Sequence, residues 1–331
     1  MKILIATGLY PPESGGPATY TKLLEERLPA YGFEVSVLPF STVRHLPKRK
    51  RHFAYFKKCL EMAEHADVVY AQDTVSVGFP AAFAAKMAGK KFVVRVPGDY
   101  SWEQARQRFG VTDELDAFQK KYYGPRVILL RMLQKFVVRR ARVVIVPSIY
   151  MQRIVFGWGA RSMLIYNGIG LPVPAIEPKG RPGGFLVVSA GRNVPWKGFE
   201  GLKRVVGREQ NWHLFIADGL PRAEALGWAK AADVFVLNST YEGLSHQLIE
   251  VMSLGTPIVA TAVGGNPELI TDRVEGLLIP PNNDNALYLA LKDIEGNKEA
   301  ARARGLAARA RAGQFSIKHT LDQLAIVLNL L

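Results

Sequence analysis

The chain has 331 residues, 48% hydrophobic and 22% charged, which excludes a disordered protein, a collagen and a small disulfide scaffold and favours two ordinary domains over one core. Its single cysteine, Cys59, cannot form an internal disulfide, so nothing requires an oxidising compartment and a reducing cytoplasm is expected. With 43 Lys and Arg against 29 Asp and Glu the formal net charge is +14, which favours an anionic partner such as a phosphate, a nucleic acid or an acidic lipid surface.

The first apolar run covers residues 2–6. Pro11, Pro12 and Glu13 interrupt it before a signal-peptide core could be completed, so the run predicts a buried strand. Gly15 and Gly16 follow, ahead of a helix expected to begin near Ala18. Lacking Cβ atoms, their backbone can approach an anion at the helix N-terminus, although an ordinary strand-to-helix turn would read the same way. The spacing is not GxGxxG, which argues against a nicotinamide or flavin enzyme.

Further short apolar runs occupy 34–38, 67–71, 92–96, 142–147 and 163–166, and segments of helical length separate them. Two basic blocks without an acid lie in this half. Residues 44–58 hold Arg44, Lys48, Arg49, Lys50, Arg51, Lys57 and Lys58, interleaved with Phe53, Tyr55 and Phe56. Residues 120–142 hold Lys120, Lys121, Arg126, Arg131, Lys135, Arg139, Arg140 and Arg142 on a periodic apolar background. No run approaches the roughly 20 apolar residues that a membrane-spanning helix needs.

Residues 167–184, with four prolines and five glycines, read as an interdomain linker. Beyond it the scheme repeats, with apolar runs at 185–190, 213–217, 233–237, 257–260 and 276–279. Near-continuous apolar strands alternating with helices suit parallel sheets covered on both faces. The prediction is an α/β protein of two doubly wound, Rossmann-like parallel-sheet domains, 1–170 and 171–314, facing a cleft that takes ligands at the carboxyl ends of the strands. In residues 315–331, Leu321, Leu324, Val327 and Leu328 recur at helical spacing. That helix is expected to cross back to the first domain or to serve a partner.

Four elements carry the chemistry: the glycine turn at 8–18, the turn at 189–198, the segment 238–250 and the glycine-rich turn at 255–268. Arg192 and Lys197 flank a turn at the end of the first strand of the second half, where a forked guanidinium and a point ammonium can offset a diphosphate. Glu242 precedes a helix expected to start near Ser245, and Glu250 lies inside it, at a spacing that lets both face one cavity from different depths. Backbone amides of Gly243, Leu244 and Ser245 would turn partial positive charge toward an anion. Taken singly, the two cations could be a solvated turn and Glu250 a solvated helix face. Asp99, after the strand at 92–96, is either a ligand contact or a turn former.

Taken together, GR…KG at 191–198, EGLSHQLIE at 242–250, GTPIVAT at 255–261 and GGNPELI at 264–270 resemble the C-terminal domain of retaining GT-B glycosyltransferases of family four, the glycosyl transferases group 1. That family is marked by two glutamates separated by seven residues, and Glu242 and Glu250 match them. PPESGGPATY near the start and the Asn167-Gly168 turn extend the likeness over nearly the whole chain. The resemblance implies that Arg192 and Lys197 grip the diphosphate of a nucleotide-sugar, that Glu242 contacts the transferred sugar and that Glu250 holds the ribose. It implies that Gly15 and Gly16 approach the donor, and that Asp99 stands where relatives carry a histidine, as a contact to donor sugar or acceptor.

The same resemblance implies a hexosyltransferase-type enzyme working with retention of configuration on a glycan or lipid-linked acceptor. No metal is expected, since neither an Asp-x-Asp nor a histidine cluster occurs. The basic front domain suggests either a peripheral position on the inner face of a membrane or a solvated, helix-stabilising charge surface. One departure stands out: relatives usually carry a further strand where only residues 220–232 intervene here, which bears on the nucleotide base. Two other readings stay open, a degenerate nucleotide-sugar binder and a nucleic-acid-binding protein; the latter leaves the glutamate pair unexplained. A nucleotide-sugar epimerase would share the fold.

Overall fold

The computed structural model describes residues 1–13 and 15–331, apart from the side chains of Lys48 and Arg49. Ser14 of the glycine turn and those two side chains of the first basic block therefore lie outside the described residues. The chain divides into two compact units, Met1–Tyr166 with Lys318–Leu331, and Asn167–Ile317.

The first unit begins with β1 (Lys2–Thr7), α1 (Gly16–Arg27), β2 (Glu34–Pro39), the short α2 (Ser41–Arg44) and α3 (Lys48–Glu64). It continues through β3 (Val68–Ala71), α4 (Gly78–Met87), β4 (Lys91–Arg95), α5 (Tyr100–Arg108), α6 (Leu115–Lys120) and α7 (Gly124–Arg140). β5 (Val143–Val146), α8 (Ile149–Gly157) and β6 (Met163–Leu164) complete its sheet, whose six parallel strands run in the order β2-β1-β3-β4-β5-β6. All four residues of β3 are buried, as both faces of a parallel sheet require, whereas edge strand β2 is buried only at Leu38.

The second unit holds β7 (Phe185–Ala190), α9 (Phe199–Val206), β8 (Trp212–Ala217), α10 (Arg222–Ala231), β9 (Val234–Leu237) and α11 (His246–Leu254). β10 (Ile258–Thr261), α12 (Asn266–Leu269), β11 (Leu277–Ile279), α13 (Asp284–Gly296) and α14 (Lys298–Ala312) follow. Its five parallel strands run β11-β10-β9-β7-β8. The chain winds outward from β7 to β8, then returns to lay down β9, β10 and β11 on the other side, so strand order reverses between β7 and β9. A single helix, α10, joins β8 to β9, and β8 is accordingly the edge of the sheet. α9 shows why these helices form: Phe199, Leu202, Val205 and Val206 are its buried apolar residues, and the last three share one core cluster with Val187 of β7, Trp212 of β8, Val236 of β9, and Leu287 and Leu291 of α13. Each such aliphatic side chain taken fully from water contributes about 1.5–3 kcal/mol.

The last helix, α15 (Ile317–Asn329), packs within the first unit through the apolar positions at 321, 324, 327 and 328. Tyr31 donates to Asp322 at 2.7 Å, and Thr320 donates to the carbonyl of Tyr166 at 2.8 Å. The proline-rich stretch at 167–184 is pinned to the second unit: the Ile176 amide donates to the Ala223 carbonyl at 2.9 Å. The Ile176 carbonyl sits where a Cβ on Gly227 of α10 would be only 1.6 Å away, so α10 can receive this segment only with glycine at that position. Cys59 is fully buried on α3, and burial pushes its thiol up to about 12. Among the described residues no helix is long and apolar enough to cross a membrane.

Candidate functional site

At an open α/β sheet the natural ligand position is the carboxyl edge where strand order reverses, which in the second unit is the end of β7 beside the end of β9. β7 runs into Gly191, whose φ of +122° favours glycine, and then into the turn that holds Arg192 and Lys197. Three contacts bind this turn to the segment after β9. The Thr240 amide donates to the Trp196 carbonyl at 2.8 Å, and the Asn238 side-chain amide donates to the Gly198 carbonyl at 2.9 Å. Gly198, at φ +67°, lies so close to the Asn238 carbonyl that a Cβ would stand 2.1 Å from it.

This tie brings Lys197 and Glu242 together. Lys197 Nζ is 2.7 Å from Glu242 Oε1, the two side chains being 15% and 13% exposed, and Ser239 donates to the same oxygen at 2.8 Å. The GGNPELI turn closes on the other side: the Gly265 amide donates to the Glu242 carbonyl at 3.1 Å, and a Cβ on Gly264 would lie 1.7 Å from that carbonyl oxygen. Two separate glycine turns, 191–198 and 264–265, thus fix one glutamate. Arg192, by contrast, is exposed and makes no ion pair among the described residues. The structure therefore places one of the two expected diphosphate cations on the paired acid and leaves the other in solvent.

The helix after Glu242 starts at His246, one residue beyond the expected position, because Ser245 is its N-cap and accepts the Leu248 amide at 3.3 Å. Gly243, Leu244 and Ser245 immediately precede the positive end of this nine-residue helix. Glu250, on its second turn, is held by Arg222 at 2.6 Å. Burial pushes the Glu250 carboxyl up, and the guanidinium opposes that rise. The two glutamates thus have different cationic partners. Arg222 is a residue that sequence reasoning missed; a lone arginine at the start of a helix carries no motif.

A raised carboxyl binds its proton more tightly in the folded chain than in the unfolded one, so this group's contribution to stability falls as pH rises from the ordinary carboxylate range through the raised value. Glu250→Gln is therefore expected to flatten the dependence of unfolding free energy on pH above about 4.3, as a urea titration series would show. An unchanged slope would contradict the burial argument.

In the first unit Gly15, at φ +138°, caps α1, and Gly16 is its first residue. The helix begins two residues before the expected Ala18, since Pro17 suits a first-turn position. Asp99 departs from the sugar contact expected of it. It is fully buried as the N-cap of α5, and its carboxylate accepts from the Trp102 amide at 3.0 Å, Ser101 Oγ at 2.6 Å, Gln134 Nε2 at 3.1 Å and Gln119 Nε2 at 2.7 Å. Its oxygens are filled from within, so the residue ties α5 to α6 and α7 and offers no open face to a sugar.

The end of β3 holds polar groups that no motif announced. Asp73 accepts the Val75 and Val77 amides at 2.9 and 3.1 Å and the Ser76 hydroxyl at 2.8 Å, and burial pushes its carboxyl up. Gly8, at the end of β1, leaves the room this carboxylate occupies, since a Cβ there would be 2.9 Å from Oδ2. The signal was the QD pair closing an apolar strand. No group of three or more His, Cys, Asp or Glu among the described residues is placed to hold a metal ion.

The family model described as Glycosyltransferase Family 4 matches residues 14–171, and that described as Glycosyl transferases group 1 matches residues 227–311. The D-inositol 3-phosphate glycosyltransferase of Segniliparus rotundus is 30% identical over 149 residues, which are 44% of this chain and 33% of that protein. The lipopolysaccharide core biosynthesis glycosyltransferase LpsD of Rhizobium meliloti is 28% identical over 133 residues, 33% of this chain and 39% of that protein. The matched region thus spans well under half of either relative's length. Sucrose-phosphate synthase from Thermosynechococcus elongatus superposes with a TM-score of 0.78 at 20% identity, covering 99% of this chain and 98% of its own. HepE from Anabaena, solved in complex with UDP-glucose, gives 0.76 at 18% identity with full coverage of both chains. Two parallel-sheet units, the Glu242 and Glu250 turns and both model matches agree: the chain has the GT-B fold and belongs to the glycosyl transferases group 1, glycosyltransferase family 4.

Proposed function

We propose that this protein is a retaining glycosyltransferase that moves a sugar from a nucleoside diphosphate sugar to a glycan or lipid-linked acceptor. The observation that carries the reading is the Lys197–Glu242 pair, held by two glycine turns at the carboxyl edge of β7 and β9 beside the N-terminus of α11. Breaking a glycosyl–phosphate bond leaves negative charge on the departing diphosphate, and prepositioned donors stabilise such charge by several kcal/mol. Lys197, Arg192 and the amides at 243–245 supply positive charge there. Glu242 offers acceptor oxygens to sugar hydroxyls, and Glu250, steadied by Arg222, offers the same to a ribose. Retention of configuration is taken from the family resemblance. HepE's complexes with UDP and UDP-glucose support a nucleotide-sugar as donor.

The test is a screen of UDP-, GDP- and ADP-sugars for released nucleoside diphosphate, with the anomeric configuration of the product read by NMR. Retention with net transfer is expected. Binding of a nucleotide without turnover would mark a degenerate binder, an inverted product would remove the retaining mechanism, and interconversion of the sugar without an acceptor would mark an epimerase.

We also propose that the first unit docks on anionic membrane, where a lipid-linked acceptor would reside. On α3, Phe53 is 61% exposed with Lys57 Nζ 4.9 Å from its ring centre; on α7, Leu129 and Met132 are 55% and 62% exposed among Arg126 and Lys135. Apolar side chains interleaved with cations suit a membrane interface. Not every expected cation contributes, because Arg131 is drawn onto the Phe118 carbonyl and ring and Arg139 donates to the Trp158 carbonyl. The nucleic-acid reading loses a stacking ring: Tyr55 is fully buried, with its hydroxyl on the Leu38 carbonyl. Near an anionic surface each free cation contributes roughly 1 kcal/mol. Retention on acidic vesicles at low salt, lost on neutral ones and reduced by Lys57→Glu with Lys58→Glu, is the expected result; equal binding to both vesicles would contradict it.

A further inference from the structure

We propose that Gln247 is a positioning residue for Lys197, an uncharged second seat that lets the ammonium leave Glu242 when a nucleoside diphosphate binds. The proposal rests on the glycosyl-transfer reading of this site. Gln247 lies on the first turn of α11, and its Oε1 is buried with no hydrogen-bond partner among the described residues. A buried amide oxygen without a donor is unfavourable, so an unfilled one marks a place where a donor is due. A cation close by is Lys197. A Cβ at Gly191 would stand 3.4 Å from Lys197 Cε, 3.7 Å from its Nζ and 3.7 Å from Gln247 Oε1. The ammonium and the orphan oxygen therefore both border the place that a Cβ on Gly191 would fill, and glycine leaves it open.

The chemistry of the pair gives this geometry a purpose. In the structure Lys197 donates to Glu242 Oε1, an oxygen that also accepts from Ser239, so the ammonium's charge is largely matched by the carboxylate. A diphosphate needs that charge, and a sugar hydroxyl needs the carboxylate. An ammonium has three donors, and a short rotation of its flexible stem over Gly191 moves it toward Gln247 while keeping it at the end of β7. The amide dipole holds it there without neutralising it, and Glu242 is released to the sugar. Gln247 touches no reacting atom in this scheme and acts through Lys197.

The experiment is calorimetric titration of the full chain with UDP, GDP and ADP, comparing Lys197→Ala, Gln247→Leu, Gln247→Glu and the double variant Lys197→Ala with Gln247→Leu. For whichever diphosphate binds the unaltered chain, Gln247→Leu is expected to weaken binding about 3- to 10-fold, the range for losing one hydrogen bond. The double variant should bind no more weakly than Lys197→Ala alone, since the two residues act as one unit. Gln247→Glu, nearly the same shape, should weaken binding more at pH 8 than Gln247→Leu does. Relative to the unaltered chain at equal pH, that deficit should shrink as the new carboxylate protonates toward about pH 4, a signature a merely structural residue would not give. If Gln247→Leu binds within 2-fold of the unaltered chain while Lys197→Ala weakens binding, or if the two losses add, the Gln247 assignment fails and the transferase reading stands. If the unaltered chain binds none of the three diphosphates, both fail.

Discussion

Lys197→Ala is expected to lower kcat/KM for glycosyl transfer by about 2–4 kcal/mol, roughly 30- to 900-fold, the loss typical of removing one prepositioned donor from a site of developing charge. Arg192→Ala should fall in the same range, yet the two variants should part on stability. Lys197 Nζ stands 2.7 Å from a glutamate only 13% exposed, and removing the lysine leaves that carboxylate without its counter-charge. Breaking a fully buried pair costs about 3–5 kcal/mol, and water reaching this one reduces the cost to about 1–3 kcal/mol. Arg192 is exposed and makes no ion pair among the described residues, so its loss should leave unfolding unchanged within about 0.5 kcal/mol. Steady-state kinetics beside urea titration separates the two cases. Full turnover in both variants would remove the cations from the mechanism and with them the reading of the site.

Much of this was legible in the sequence for a simple physical reason. A strand inside a parallel sheet is buried on both faces and must be apolar throughout, so the run at 185–190 coincides with β7, all six residues of which are buried. β8 begins at Trp212, one residue before the expected run, because its first residue packs in the core and its next, His213, is exposed at the sheet edge. The helix α3, which takes in most of the basic block at 44–58, carries a buried stripe: Tyr55, Cys59 and Ala63 recur every four residues and are buried, while Phe53, Lys57 and Lys58 face solvent. That period could have separated the ring serving the core from the ring serving the surface. The bonds within the site were not legible. Lys197 meets Glu242 across 45 positions and Arg222 meets Glu250 across 28, and only the sheet order, with glycines 198 and 264 allowing the turns to close, brings them into contact.

Asp99 shows the limit most plainly, and its substitution carries the largest expected loss of stability. A carboxylate just beyond a strand end can face a ligand or cap the next helix, and local sequence permits both. The choice was made by Gln119 and Gln134, which reach it from α6 and α7 and close its oxygens off. Asp99→Ala removes a helix cap, worth about 1 kcal/mol, and strands the buried donors of Ser101 and Gln134 and the half-buried donor of Gln119, each unfilled buried donor adding about 1–3 kcal/mol before neighbours relax. A net loss of about 3–5 kcal/mol is expected, read most directly as faster hydrogen exchange at the Trp102 amide, which donates to this carboxylate. Asp99→Asn keeps an oxygen for that cap and should lose only about 1–2 kcal/mol. Because the side chain is fully buried, the folded Asn variant should keep its affinity for nucleoside diphosphate and most of its turnover. A variant with unchanged exchange at Trp102 and turnover reduced a hundredfold would restore the sugar contact that the position first suggested, and would mean that this carboxylate leaves its cap when substrate arrives.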